Sequence, residues 1–388
     1  MIPESEYDDI RPYCDSEVPE VIERLIKNDD FLKFALQLFP GLSREKIEQS
    51  LSQVKTVDDF QSMFIVPLAD NIVKNTTKGI SIDGLDKLDS NESYLFISDH
   101  RDIILDSALL NILLFRNNFP TTEIAIGSNL LIQPWITDLV KLNKSFVVKR
   151  NSSVRDMLVN SKHLSSYIDY ALNTKKSSVW IAQREGRTKD GDDRTQQSLL
   201  KMLQMSGNKN FVEHFRSLRI VPVAISYEYE PCDALKSREL FLKETEEGYK
   251  KTPKDDLLSM LKGMINEKGR VHFKVGKPIS EMLDVIEKMD DSRDKLKALA
   301  ELIDYKIHKN FKLWPDNYIA YDILTGSKEY YDKYTEEEKF FFLKHMDKKL
   351  GTVEGDRERL KEIFFEIYAN PVRNQIELTK PDFVPDNL

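Results

Sequence analysis

Cysteine is scarce: Cys14 and Cys232 are the only two in 388 residues. At most one disulfide can form, so the chain is no disulfide scaffold, and it shows no zinc-site spacing. That poverty fits a reducing, cytoplasmic compartment. Long apolar runs are also missing. No stretch of about eighteen uncharged apolar residues occurs, which argues against a spanning helix. Any membrane contact is expected to be peripheral, at the inner face. The opening Met1-Ile2-Pro3-Glu4-Ser5-Glu6 is acidic, so no signal or transit peptide is read there. A positive net charge is lacking too. The balance of −8 gives the whole molecule no pull toward nucleic acid, so an anion site must be a local cluster. No internal repeat or low-complexity segment is found, and no metal or resident cofactor is expected.

What is present is ordinary globular material, 40% hydrophobic and 31% charged, long enough for two or three domains. Residues 1–84 read as a helical N-terminal region. Pro40-Gly41 punctuates it, and Ser43 is placed to cap a helix whose Ile47, Leu51 and Val54 share a face. Gly79 to Ser90 is turn-rich. Over 85–280 short apolar runs at 94–98, 123–127, 145–148, 178–182, 220–227 and 271–275 alternate with helical stretches such as 101–116, 153–173 and 195–205. The alternation predicts an α/β domain with a central, mostly parallel or mixed sheet flanked by helices. Residues 281–388 read as a helical C-terminal region. Thr335 with Glu338 forms a capping box, and Gly351 stops that helix. Pro371, Pro381 and Pro385 predict an extended tail.

Four blocks carry chemistry. In the first, Ser98-Asp99-His100-Arg101-Asp102 leads to Asp106, so a histidine stands where a strand gives way to a helix. Ligands bind at that edge of open α/β sheets. A solvated or core-bonded histidine beside capping aspartates explains this segment equally well. A kinase catalytic loop is excluded: Ser107 stands where its Asn belongs, and no Gly-rich loop or Asp-Phe-Gly is found. The second block is the strand Ser145–Val148 ending in Lys149 and Arg150. By itself it reads as a solvated strand end. In the third, Trp180-Ile181-Ala182 runs into Gln183-Arg184-Glu185-Gly186-Arg187. Gly186 permits close backbone approach and the arginines offer paired donors. The fourth, Ile220-Val221-Pro222-Val223, carries a proline that suggests an edge, a bulge or a pocket wall. Between Lys141 and Arg194 stand twelve Lys or Arg against six Asp or Glu, an excess of +6 in an acidic chain. That excess points to a phosphorylated substrate or an anionic lipid surface.

In this order and spacing the blocks resemble the glycerolipid acyltransferase superfamily, which comprises the glycerol-3-phosphate and 1-acylglycerol-3-phosphate acyltransferases. The run Val271 to Ile279, with Gly276-Lys277-Pro278, resembles the strand and turn that close such domains. The likeness covers about residues 85–280. Two departures mark a divergent branch. Five residues, not four, separate His100 from Asp106, so Leu105 stands at the family's Asp position. Glu185-Gly186-Arg187 is one residue shorter than the family's Glu-Gly-Thr-Arg. The resemblance implies transfer of an acyl chain from a thioester, acyl-CoA or acyl-carrier protein, to glycerol-3-phosphate or its 1-acyl derivative. His100 is then the general base and Asp106 orients its ring, with Asp102 the alternative partner or a helix cap. Arg150, Arg184 and Arg187 bind the acceptor phosphate, and Glu185 and Gly186 position it. With no Gly-x-Ser-x-Gly elbow, attack is direct. A non-phosphate acceptor such as an amino-acid lipid is a second reading. A lipid- or acyl-carrier-binding protein without turnover is a third. The apolar helix after His100 is read as core or as the wall of an acyl tunnel. Leu130 to Trp135, before Lys141 and Lys144, is read as core or as a membrane interface.

Overall fold

Two of the apolar runs offer no polar side to solvent. Leu95–Ser98 and Ile220–Tyr227 are buried at every residue, which suits strands covered on both faces. In the computed structural model of the chain, which describes residues 4–150, 153–207 and 210–379, they lie at the centre of a seven-stranded sheet. The strands are β1 (Thr77–Asp83), β2 (Leu95–Ser98), β3 (Glu123–Gly127), β4 (Ser145–Val148), β5 (Val179–Ala182), β6 (Ile220–Tyr227) and β7 (Gly269–Val275), in the order β1-β7-β6-β2-β5-β3-β4. All neighbours are parallel except β6 and β7. The sheet is therefore mixed, with helices on both faces, as the alternation predicts. Because β7 reverses, Thr77 and Gly269 start at the edge where β6 ends. That edge is also where β2 and β5 end, and it carries the site.

Several expectations need correction. β1 lies inside the span expected to be helical; its exposed, alternating residues give no apolar run to detect. β6 is central, flanked by β2 and β7, so Pro222 does not mark an edge. The sheet tolerates it because the antiparallel register with β7 starts one residue later, at Val223, while the Pro222 carbonyl still accepts from Gly276 N at 2.9 Å. Pro371 does not begin an extended tail. It lies within the helix Arg357–Glu377, where the missing N–H leaves the Ile367 carbonyl without its intrahelical donor. Tertiary contacts hold the helix through that break: Asn370 Nδ2 donates to the Asp190 carbonyl at 2.7 Å, and Asn317 Nδ2 to that of Tyr368 at 2.8 Å. Pro381 and Pro385 fall outside the described residues. The two caps were readable. Ser43 accepts from Lys46 N, and Thr335 and Glu338 form the capping box of a helix that ends at Leu350, before Gly351.

The boundary expected at 280 does not divide the core. Leu299, Ile303 and Ile307, from the helix Ser292–Asn310, pack in one apolar cluster with Leu95, Ile97 and Ile181 of the sheet. The same helix holds the loop after β5. Asp304 Oδ1 accepts from Thr195 N at 2.7 Å and from its hydroxyl at 2.5 Å, and His308 Nε2 donates to the Asp193 carbonyl at 2.6 Å. Burial pushes the Asp304 carboxyl up to about 7, against the pull of the Thr195 bonds. Burial lowers His308 to about 4, so the ring stays neutral. An acid whose folded pKa lies above its unfolded 3.8 lowers stability as pH rises from about 4 through about 7. Asp304→Asn keeps an acceptor for Thr195 and abolishes this titration. Thermal denaturation should show the variant more stable than wild type at pH 8, by on the order of a few kcal/mol, with the difference shrinking steadily as pH falls toward about 4.

Candidate active site

The first block leaves β2 in a tight turn whose backbone N–H groups find no strand partner. Asp106, in the first turn of the helix Leu105–Arg116, collects them. Its Oδ2 accepts from Arg101 N at 2.7 Å, from Asp102 N at 2.9 Å and from His100 Nδ1 at 2.9 Å. Oδ1 accepts from the Tyr227 hydroxyl at 3.0 Å. Burial, with Asp106 alongside, holds the Tyr227 phenol far above its usual pKa, so it stays a donor. A carboxylate already accepting on both oxygens fixes the proton of His100 on Nδ1 and leaves Nε2 with a free lone pair. The ring is 14% exposed and lies edge-on to Trp180, with centroids 5.9 Å apart. The extra residue between His100 and Asp106 thus does not part them. Asp102 plays the capping part: its Oδ1 accepts from Ile104 N and Leu105 N, each at 2.9 Å. Burial, then the charge of Asp106, raises the Asp102 pKa.

Below the turn sits a buried charge network that spacing in the sequence does not reveal. Arg101 is 1% exposed. Its guanidinium donates to Asp99 Oδ2 at 3.1 Å, to Glu230 at 3.5 Å and to Asp193, and it lies 5.0 Å over the Phe311 ring. Lys236, equally buried, donates to the Arg101 carbonyl at 2.9 Å and pairs with Glu230. Burial, then the neighbouring Asp193, drives Asp99 well above the carboxylate range. Arg101 and Lys236 are enclosed by Asp99, Asp193 and Glu230. Buried charges persist only when paired in this way.

The third block meets the first at the sheet edge. Gln183 N donates to the Ser98 carbonyl and Thr188 N to that of His100, both at 2.8 Å. Gly186 turns at φ +71°, in the left-handed region that favours glycine. The loop splits the expected binding residues. Arg187 turns inward beside Asp102 and is buried, with Nη1 unpartnered; Nε of the half-buried Arg184 is likewise unpartnered. Glu185 and Gly186 face solvent, and Glu185 pairs with Arg150. Among the described residues no hydrogen bond or ion pair joins Glu185 to His100.

The other cations of the basic stretch are mostly spent. Lys149 pairs with Asp9 at 2.5 Å, and Lys144 pairs with Asp58 at 3.0 Å. Lys175 pairs with Glu4 and Glu123, Lys189 with Glu239, and Arg194 with Glu377. The buried Lys141 donates to the Asp8 carbonyl at 3.1 Å. The local excess of charge is answered by acids distant in sequence. Trp135 packs on Phe31 and Phe34 of the N-terminal helices, while Ile132 of the same patch is 55% exposed. The helix after His100 is core: Leu109, Leu110, Leu113 and Leu114 are buried.

Residues 79–226 match the family described as Acyltransferase. The span begins in β1, ends in β6, and includes His100, Asp106, Arg150 and the 183–188 loop. Over that span the chain is similar to acyltransferase domains. No curated protein sequence matches it. Among solved structures, the crystal structure of the 1-acyl-sn-glycerophosphate (LPA) acyltransferase PlsC from Thermotoga maritima is similar at a TM-score of 0.36 and 10% identity, over 76% of this chain and 95% of that one. A likeness so distant carries no weight for substrate.

Asp106→Ala should strip the acceptor from two backbone N–H groups, a phenol and the imidazole at once. Urea denaturation is expected to show a loss on the order of 3 kcal/mol, since each buried unpaired donor costs about 1–3 kcal/mol. An unchanged midpoint would mean that the turn is held by other bonds.

Proposed function

We propose that the protein transfers a fatty acyl chain from a thioester, acyl-CoA or an acyl-carrier protein, to the hydroxyl of glycerol-3-phosphate or 1-acylglycerol-3-phosphate. The observation that carries this reading is the His100–Asp106 pair, 2.9 Å apart at the carboxyl edge of the sheet. His100 Nε2 takes the acceptor's hydroxyl proton as its oxygen attacks the thioester carbonyl. The C–S bond then breaks, and the imidazolium returns the proton to the leaving thiolate. Asp106 keeps the ring in the required tautomer and stabilises its charged form. Neither the thioester donor nor a phosphorylated acceptor needs a resident metal or cofactor for these steps. The unpartnered N–H groups of Arg184 and Arg187 are the donors best suited to an acceptor phosphate.

One observation favours a second acceptor class. Arg150 is already matched by Glu185, and much of the basic stretch is neutralised within the fold. An uncharged lipid hydroxyl, as on an amino-acid lipid, would leave the Arg150–Glu185 pair intact. A phosphate would have to compete with it.

The test is turnover of a labelled acyl thioester by purified protein with a panel of acceptors. His100→Ala should slow acyl transfer about a hundredfold or more, the usual contribution of a positioned base. Full activity in that variant overturns the reading. Inhibition by inorganic phosphate separates the two acceptor classes, since only a phosphate acceptor shares its site.

A further inference from the structure

The helix Pro253–Ile265 is built inside out. Its outward side carries Leu257, Leu258, Leu261 and Ile265, each between 42% and 66% exposed, while Asp256, Ser259 and Gly263 are buried. A helix laid on a core shows the opposite distribution. Its start is secured by Pro253 in the first turn and by the Thr252–Asp255 capping box, so the leucines are presented as one ordered stripe. The inner side rests directly on the catalytic turn. A Cβ on Gly263 would lie 2.1 Å from Asp102 Oδ2, so only glycine allows this approach. Cys232 Sγ donates to the Ser259 carbonyl at 3.2 Å, fixing the same face.

Two further features share this edge of the sheet. Met157 and Leu158, each more than half exposed, lie at the start of the helix Val154–Asn173, which follows β4. Lys250, Lys254 and Lys262 are exposed at the two ends of the leucine stripe. Cations flanking an apolar helical face complement an anionic headgroup layer. Thirteen residues span about 20 Å, too short for a hydrocarbon core of about 30 Å, and no helix among the described residues is long and apolar enough to cross a membrane.

We propose that the helix Pro253–Ile265 is the surface by which the protein lies on an anionic bilayer. Leu257, Leu258, Leu261 and Ile265 enter the acyl boundary, Lys254 and Lys262 sit at headgroup level, and the opposite side of the helix rests on the turn that carries His100. This rests on the acyl-transfer reading for its purpose, but not for its measurement.

The test is flotation of the full chain with vesicles of phosphatidylglycerol and phosphatidylcholine, against pure phosphatidylcholine. Wild type should partition to the anionic vesicles. Leu257→Glu/Leu261→Glu should lower that partition by about tenfold or more, the factor expected for withdrawing even one well-buried leucine. Its melting temperature and its turnover of a water-soluble short-chain thioester should be unchanged. In Leu258→Trp, the indole emission should shift to the blue on vesicle addition and be quenched by brominated lipid. Absence of flotation, or equal flotation of the double variant, overturns the proposal. So does a vesicle-free dimer that the double variant dissociates, which would make a second copy the occupant. Leucine-dependent flotation without turnover of any thioester supports this proposal and counts against the acyl-transfer reading alone.

Discussion

The buried guanidinium of Arg101 is the constraint around which the catalytic edge is organised. It reaches Asp99 in its own turn, Asp193 in the loop after β5, and Glu230 just beyond β6. Three chain segments far apart in sequence thereby share one charge. A buried ion cannot be left unmatched without a penalty of several kcal/mol, so these segments cannot drift independently. The turn that presents His100 is fixed from below by this network and from within by Asp106. Positioning of the imidazole is therefore a property of the whole edge and not of the first block alone. Lys236 extends the network to the helix Asp233–Thr245 through the Arg101 carbonyl and Glu230.

The same long-range matching explains why local charge counting misleads here. A run with an excess of +6 looks like an anion site when only its own acids are counted. In the fold, Asp9, Asp58, Glu123, Glu239 and Glu377 come from outside or beyond the run's cationic clusters and take up its lysines and arginines. What remains unmatched is a small number of N–H groups on Arg184 and Arg187, in the loop whose Thr188 N–H donates to the His100 carbonyl. Those donors arise from burial and geometry, which counting cannot reveal.

Much of the architecture was legible because its signals are local. Five of the six expected runs lie within a residue of the observed strands, since a strand buried on both faces must be continuously apolar. The residues offered Asp102 and Asp106 as partners of His100, and the family resemblance favoured Asp106, which the fold brings to 2.9 Å. β1 was missed because it is half exposed and reads as a turn, and Pro371 because interior prolines survive only where tertiary contacts hold the helix. Arg101 was quoted only as part of a motif. Nothing within a few residues of it signals that Glu230 and Asp193 will converge there. The surroundings of Lys149 and Arg187 were hidden for a related reason: whether a cation at a strand end faces ligand, solvent or a distant acid is decided by the fold.

The family match ends at residue 226, yet the site does not end there. Glu230 and Lys236 complete the Arg101 network, and Asp304 and His308 hold Thr195 and Asp193 in the loop that carries Arg184 and Arg187. Gly263 brings a helix backbone onto Asp102 itself. The segment between β6 and β7 and the helices after it are thus structural parts of the catalytic edge, not appendages to a self-sufficient α/β domain. This division of labour is consistent with the chemistry. The matched core holds the His100–Asp106 pair on rigid strands and a short turn. The later elements lock the loop against it and pack a helix with an exposed apolar side onto the same turn, so His100 and that helix are held in register by the same few contacts.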